Sequence, residues 1–317
     1  MKEFKTIRQQ LDILRKMGLI VPKNGKPKKF LEEENYYNVI NGYKILFLKK
    51  DKNNNLISPE CFIENTHFDS LKFLFLFDRE LRFIFLKYIL IFENTLKSIT
   101  SYVFAKKYPK TNSYLDKTNF SNDKKSAFSQ IILLTKMLQE QIDHTGPIKH
   151  YLDVHVDVPF WVLVNRMTLG NLSHFYDSLK ESEKNEIANK FYIKFKTEYK
   201  SKNKFKLQTG DFSLGLKIIY LVRNMCAHDE RLYNVKLKTK KADNIKNLFG
   251  FDANTEHDKL VVVVLFLKLF LNKQDFKNFY SELTKLIEKY KDKFDENIFS
   301  SIMDSMGVKI NELKKLK

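Results

Sequence analysis

From Asp69 to Lys107 apolar side chains recur at helical spacing with no glycine or proline among them, and the run stops at Tyr108-Pro109. A proline cannot continue a helical ladder and pushes the residue before it out of helical geometry. The spacing predicts one long, heavily apolar helix, or a broken pair, over this segment. A helix of that length needs other helices to cover it, and the rest of the chain supplies them. Period-2 alternation is scarce, and 317 residues contain only nine glycines and six prolines. The expected fold is all-α, a helical bundle.

Two stretches are greasy enough to raise a membrane span. Leu71 to Phe92 holds Asp78, Arg79, Glu80, Arg82 and Lys87. Leu260 to Leu271 is well short of the roughly 20 apolar residues that spanning requires. Both are read as core helices, with no membrane partner. Further helices are expected at 4–17, 123–143, 160–180, 182–205, 212–229, 258–271, 275–292 and 296–305. Pro159 suits the first turn of its helix, where the missing N–H costs nothing. Residues 19–60, with Pro22, Gly25, Pro27, Gly42 and Asn53-Asn54-Asn55, form a loop-rich element with one or two short helices. The chain therefore divides into a smaller element at 1–65 and a helical domain at 66–317. The lysine-rich stretch 181–206 is the expected mobile or RNA-facing surface.

The formal charge of +18 points to a polyanionic partner, since Lys and Arg neutralising phosphate are the usual source of sequence-independent nucleic-acid affinity. Only seven of the 56 basic residues are Arg, and the accompanying wealth of Phe, Ile and Asn is what an AT-rich genome would produce without selection for binding. Clustering is more informative: residues 1–30 carry nine Lys or Arg against Glu3 and Asp12, and 236–241 contains Lys236, Lys238, Lys240 and Lys241 with no acid. Each cluster reads equally as an RNA contact or as solvated surface. Cys61 and Cys226 stand far apart without metal-ligand spacing, which argues against a disulfide framework and for a reducing cytoplasm. The N-terminus mixes acids and bases and does not fit a signal peptide.

The polar centre lies in LKIIYLVRNMCAHDERLYN, residues 216–234. On a helix Asn224 and His228 share a face, with Tyr220 and Arg231 above and below, while Arg223 lies about 140° round from His228. Leu216, Ile219 and Val222 form an opposing apolar stripe that would anchor the helix. RNA cleavage by the 2′-hydroxyl needs a base, an acid and positive charge on the transition state. Histidine suits the proton steps. Arginine suits the charge, through its fork of donors. Asparagine can orient either, and neither metal nor other cofactor is required. The other reading is a surface or core histidine with ordinary partners.

Arg223-Asn224-x-x-x-His228 resembles the R-[N/H/D]-x-x-x-H signature of HEPN-type ribonucleases. The longer run RNMCAHDERLYN resembles more narrowly the Abi family of bacterial abortive-infection proteins. Asn35-Tyr36-Tyr37 with Gly42-Tyr43, Phe92-Glu93-Asn94-x-Leu96-Lys97-Ser98, Pro159-Phe160-Trp161, Leu169-Gly170-Asn171-Leu172-Ser173 and Met306-Gly307 extend the likeness over nearly the whole chain. The resemblance implies a HEPN-like bundle and a homodimer in which two R-x4-H motifs face one groove. It also implies metal-independent cleavage leaving a 2′,3′-cyclic phosphate, with a small noncoding RNA as a regulatory partner. Val308-Lys309-Ile310 departs from the aromatic residue and Trp expected after Met306-Gly307.

Several other residues carry open readings. Glu93 either orients Arg223 or His228 from behind or makes a structural ion pair. Arg231 is placed on RNA phosphate, and Asp229 and Glu230 in local pairs. His144, His150, His155, Asp153 and Asp157 are irregularly spaced across Gly146-Pro147 and read as a polar loop, not a metal site. Trp161 is a buried helix-start anchor or a base-stacking ring. Cys226 is a small apolar filler, since no activating partner is evident.

Overall fold

A computed structural model describes residues 3–142, 144–155, 157–201, 205–237, 242–251, 258–308 and 313–316. The segment that dominates the sequence is one unbroken helix, α3 (Phe68–Lys107), and it is not split into a pair. The short elements before it are α1 (Ile7–Lys16) and α2 (Lys26–Glu33). After it come α4 (Lys124–Gln139), α5 (Pro147–His155), α6 (Phe160–Leu163), α7 (Leu169–Ser178), α8 (Glu181–Glu198) and α9 (Thr209–Ala227). The chain then forms α10 (Asp243–Leu248), α11 (Leu260–Phe270), α12 (Lys273–Lys291) and α13 (Glu296–Met306). The fold is all-α, and the few extended pairings among the described residues are isolated bridges.

Helix α9 runs antiparallel along α3. Phe212 at the start of α9 and Phe92 far along α3 both pack on Phe270, with ring centroids 5.1 Å and 4.7 Å away. The end of α9 meets Asp78 and Arg82 near the start of α3. Every side chain of α11 is buried, which accounts for its uninterrupted apolar sequence. Its approach to α9 depends on Gly215, where a Cβ would come within 2.6 Å of Phe266 Cδ1. Among the described residues no helix is long and apolar enough to cross a membrane.

The lysine of α11 is the exception in this core. Lys268 donates to the Leu316 carbonyl at 2.8 Å and lies 5.1–5.6 Å from the ring centres of Tyr199, Phe249 and Phe276. Burial pushes its ammonium down to about 8. The three ring faces work the other way, because a desolvated cation gains from an aromatic quadrupole.

The element at 1–65 is clamped to the bundle. Ile20 and His67 pair in an isolated parallel bridge, and Leu14, Val39, Ile40 and Tyr43 join the same apolar cluster as α3 and α9. Tyr37–Asn41 is a π-helical turn, and Lys44–Phe47 a 3-10 turn, immediately before the hairpin-like pairing of Leu48 with Phe62.

Four segments depart from the sequence expectation. The helix expected at 160–180 is broken after Leu163, and α7 starts afresh because Thr168 accepts a cap bond from the Asn171 N–H at 3.2 Å. The polar loop expected around His150 and Asp153 is instead α5, beginning at Pro147. Only one side of α8 is left as the surface expected of 181–206, because Ile187, Ala188, Phe191 and Phe195 bury the other against the bundle. The fourth is the end of α9, which shapes the site.

Candidate functional site at the end of helix α9

Leu216, Ile219, Val222 and Cys226 anchor α9 on its buried side. The opposite face carries Lys217, Leu221, Asn224 and His228 at spacings of four and three, with Leu221 and His228 exposed and Asn224 half-buried. The last helical residue is Ala227, two short of expectation. His228 is the cap, and its N–H still reaches the Asn224 carbonyl at 2.9 Å. Asp229 then takes a left-handed φ of 60°, and the Glu230 N–H closes onto Met225 O at 2.9 Å. That pattern ends helices most easily with glycine; Asp tolerates the left-handed region better than most residues but is strained there.

An ion pair with a buried arginine explains why Asp229 stays. Its carboxylate pairs with Arg82, which is 1 % exposed on α3. Arg82 also donates to Asp78 Oδ2 at 2.9 Å and to the Tyr43 hydroxyl at 3.3 Å. Asp78, fully buried, additionally accepts from the Tyr43 hydroxyl at 2.7 Å and from the Leu232 and Tyr233 amides at 3.1 and 2.7 Å. Burial pushes the Asp78 carboxyl up, while Tyr43, Arg82 and the two amides pull against it. Burial alone would lower the Arg82 guanidinium, but Asp78, Tyr43 and Asp229 outweigh it and raise it further above its ordinary value. The Tyr43 ring stacks on Tyr233 with centroids 5.8 Å apart. One buried hub thus ties the N-terminal element, α3 and the chain after His228 together.

The turn at Asp229 redirects Arg231. It does not continue the helical face below His228; its Nη1 donates to the Gly42 carbonyl at 2.6 Å. Between the π-helical turn and this post-helix segment lies an open groove of roughly 620 Å³. Tyr37, Asn38 and Asn41 line one side, and His228, Glu230, Arg231, Asn234 and Lys236 the other.

Arg223 and Asn224 do not line that groove. Arg223 is half-buried, and its Nε has no hydrogen-bond partner among the described residues. Tyr220 is a packing residue, its ring against α7 where a Cβ on Gly170 would come within 2.6 Å. Glu93 is buried and pairs with Lys97 at 2.9 Å, its other oxygen unpartnered among the described residues; it makes no bond to Arg223 or His228. Lys238, Lys240 and Lys241 lie outside the described residues. Trp161 is 53 % exposed at the start of α6, so it is not a buried anchor; Phe160 fills that role, stacked on Phe175 at 4.7 Å. Burial pushes the Cys226 thiol up to about 12, so it stays protonated and unreactive at neutral pH.

Sequence reasoning missed Tyr43, Asp78 and Arg82 as parts of the site, having used the last two only against a membrane span. The available signal was an Asp and an Arg four residues apart inside an otherwise apolar helix, where unpaired charge is prohibitively costly.

These features define a class: an all-α protein in which a buried-sided helix ends in an Arg-Asn-x-x-x-His face beside an open polar groove. Within that class, the chain belongs to the Abi-like protein family, whose model matches residues 29–234. No curated protein and no solved structure matches it. The match takes in the hub and the groove's lining apart from Val235 and Lys236, and ends with Asn234. It is narrower than the resemblance over nearly the whole chain, since Met306-Gly307 falls beyond it. Gly307 has its own reason to be glycine, with φ 65° and a would-be Cβ 2.8 Å from Lys259 Cβ.

Proposed function

We propose that this protein is a metal-independent, HEPN-type endoribonuclease of an abortive-infection (phage-defence) or toxin-antitoxin-like system, acting as a dimer and controlled by a small noncoding RNA. The observation that carries the reading is the state of the motif. Arg223, Asn224 and His228 sit on a rigidly anchored helix, and among the described residues their side chains make no hydrogen bond or ion pair. A buried guanidinium nitrogen without a partner costs about 1–3 kcal/mol. Such a cost is sustained where the partner comes from outside the fold, here an RNA phosphate or the second protomer.

In the proposed reaction the RNA 2′-oxygen attacks the adjacent phosphorus while the bond from phosphorus to the 5′-oxygen breaks. One His228 takes the 2′-hydroxyl proton, and the His228 of the second protomer gives a proton to the departing 5′-oxygen. Arg223 holds the phosphoryl oxygens as charge builds, and Asn224 orients its neighbours. The products are a 2′,3′-cyclic phosphate and a 5′-hydroxyl. One R-x4-H motif per chain is what makes the dimer necessary. To test this, single-stranded RNA is cut in EDTA, the cut sites are mapped, and a 2′-deoxy nucleotide is placed 5′ of one of them. Cutting should vanish there alone; persistent cutting at the 2′-deoxy position would overturn the chemistry.

A second reading, a noncatalytic protein that holds a small RNA, is favoured by the separation of Arg223 from the groove that His228 lines. It requires that RNA be bound but left intact by the dimer under all conditions tried.

A further inference from the structure

The groove beside His228 has a wall that the motif does not explain. Tyr37 is 70 % exposed, an unusual position for so large a ring, and it stands on the π-helical turn Tyr37–Asn41. π-helical turns are rare and concentrate at functional sites. The backbone that carries the ring is held from below: the Tyr37 N–H donates to Asn35 Oδ1 at 2.8 Å, and Val39 and Ile40 in the same turn are buried. Asn38, Asn41 and, across the groove, Asn234 offer side-chain amides that have no hydrogen bond among the described residues. Arg231, from the opposite side, is tied to the Gly42 carbonyl by one nitrogen, and its other donors have no hydrogen-bond partner among the described residues.

We propose that this groove is a base subsite for single-stranded RNA: one unpaired base stacks on Tyr37, with Asn38 and Asn41 reading its edge and Arg231 and Lys236, across the groove, holding the flanking phosphate. An exposed tyrosine gives a stacking face to any base. Carboxamides match the mixed donors and acceptors of a base edge, since each carries both. The volume, roughly 620 Å³, lies within the usual range of about 300–1,000 Å³ for small-ligand sites. His228 lies on the rim of the same groove, so a base seated on Tyr37 sets which phosphate reaches the histidine. Asp229 is paired with Arg82, so Glu230 is the lining acid whose charge Arg231 and Lys236 must offset for a phosphate to sit there. The proposal rests on the ribonuclease reading for the role of His228, while the stacking contact is independent of cleavage.

The experiment measures binding of short labelled single-stranded RNA to the full-length His228→Ala protein, which leaves the RNA intact. Tyr37→Ala in that background should weaken binding roughly 5- to 100-fold, the range for losing one stacked base, and Tyr37→Trp should keep it. Moving an abasic nucleotide along the RNA should find one position that gives the same loss, with no further loss in the Tyr37→Ala protein. Asn41→Ala should change the base preference at that position. Unaltered binding by Tyr37→Ala, or an equal loss with fully double-stranded RNA, would overturn the subsite. A protein that binds RNA in a Tyr37-dependent way but never cuts it would retain the subsite and remove the nuclease; one that cuts RNA indifferently to Tyr37 would do the reverse.

Discussion

Arg82→Ala should be the most damaging single change outside the motif. Arg82 is buried and bridges two acids on different segments, Asp78 within α3 and Asp229 after α9. Removing it leaves the buried Asp78 carboxyl without its cation, with only one hydroxyl and two amides against the burial that favours its protonated form, and breaking one half of a buried pair typically costs about 3–5 kcal/mol. Asp229 loses the contact that holds it in left-handed geometry, which adds about 1 kcal/mol of unrelieved backbone strain. A domain of this size has about 5–15 kcal/mol in total, so the variant should fold but unfold at markedly lower urea. Asp229→Ala should cost much less, about 1–2 kcal/mol, because its carboxylate is mostly exposed; Asp229→Gly should be milder still, since glycine takes the left-handed conformation freely. Urea titration followed by circular dichroism reads all three. If Arg82→Ala shifted stability by less than about 1 kcal/mol, or Asp229→Gly were worse than Asp229→Ala, the hub would not be what sets the helix end.

Three further outcomes follow from packing and burial. Gly170→Ala drives a methyl into the Tyr220 ring and should cost about 1–3 kcal/mol, measured by thermal unfolding, with partial recovery in Gly170→Ala/Tyr220→Leu. The depressed Lys268 ammonium means that between pH 8 and the unfolded value of 10.5 the unfolded chain binds more protons, so stability rises with pH through that window. The stability of the wild type relative to Lys268→Met should therefore increase across it, and a flat difference would place the Lys268 ammonium at its ordinary value. Iodoacetamide at pH 8 should label Cys61 in the folded protein and reach Cys226 only after unfolding, as peptide mapping would show.

The long apolar helix, the buried α11 and the anchored side of α9 were legible because burial repeats at helical period, and period survives in sequence. What was not legible depended on single local contacts. The break before α7 turns on one threonine hydroxyl capping Asn171, and α5 on a Pro147 that reads as a loop marker although proline is well placed at a helix start. The end of α9 turns on Asp229, whose left-handed backbone makes sense only once Arg82, far away in sequence, is known to hold it. For the same reason Arg231 seemed to share a face with His228 but turns to Gly42 instead. The motif residues stand out by their chemistry and by resemblance, and Tyr37 only within the Asn35-Tyr36-Tyr37 likeness; Asn38 and Asn41 do not, since nothing in a sequence says that a short turn will form the wall opposite His228.

The central claim is that the end of α9 is a working centre, and His228 tests it most directly. Purified full-length wild type and His228→Ala should bind the same single-stranded RNA with equal affinity, because the imidazole is exposed and supports no internal contact among the described residues. In EDTA the wild type should cut that RNA and His228→Ala should fall by at least about a hundredfold, the scale of losing one acid–base group. Cutting by His228→Ala at the wild-type rate would contradict the account.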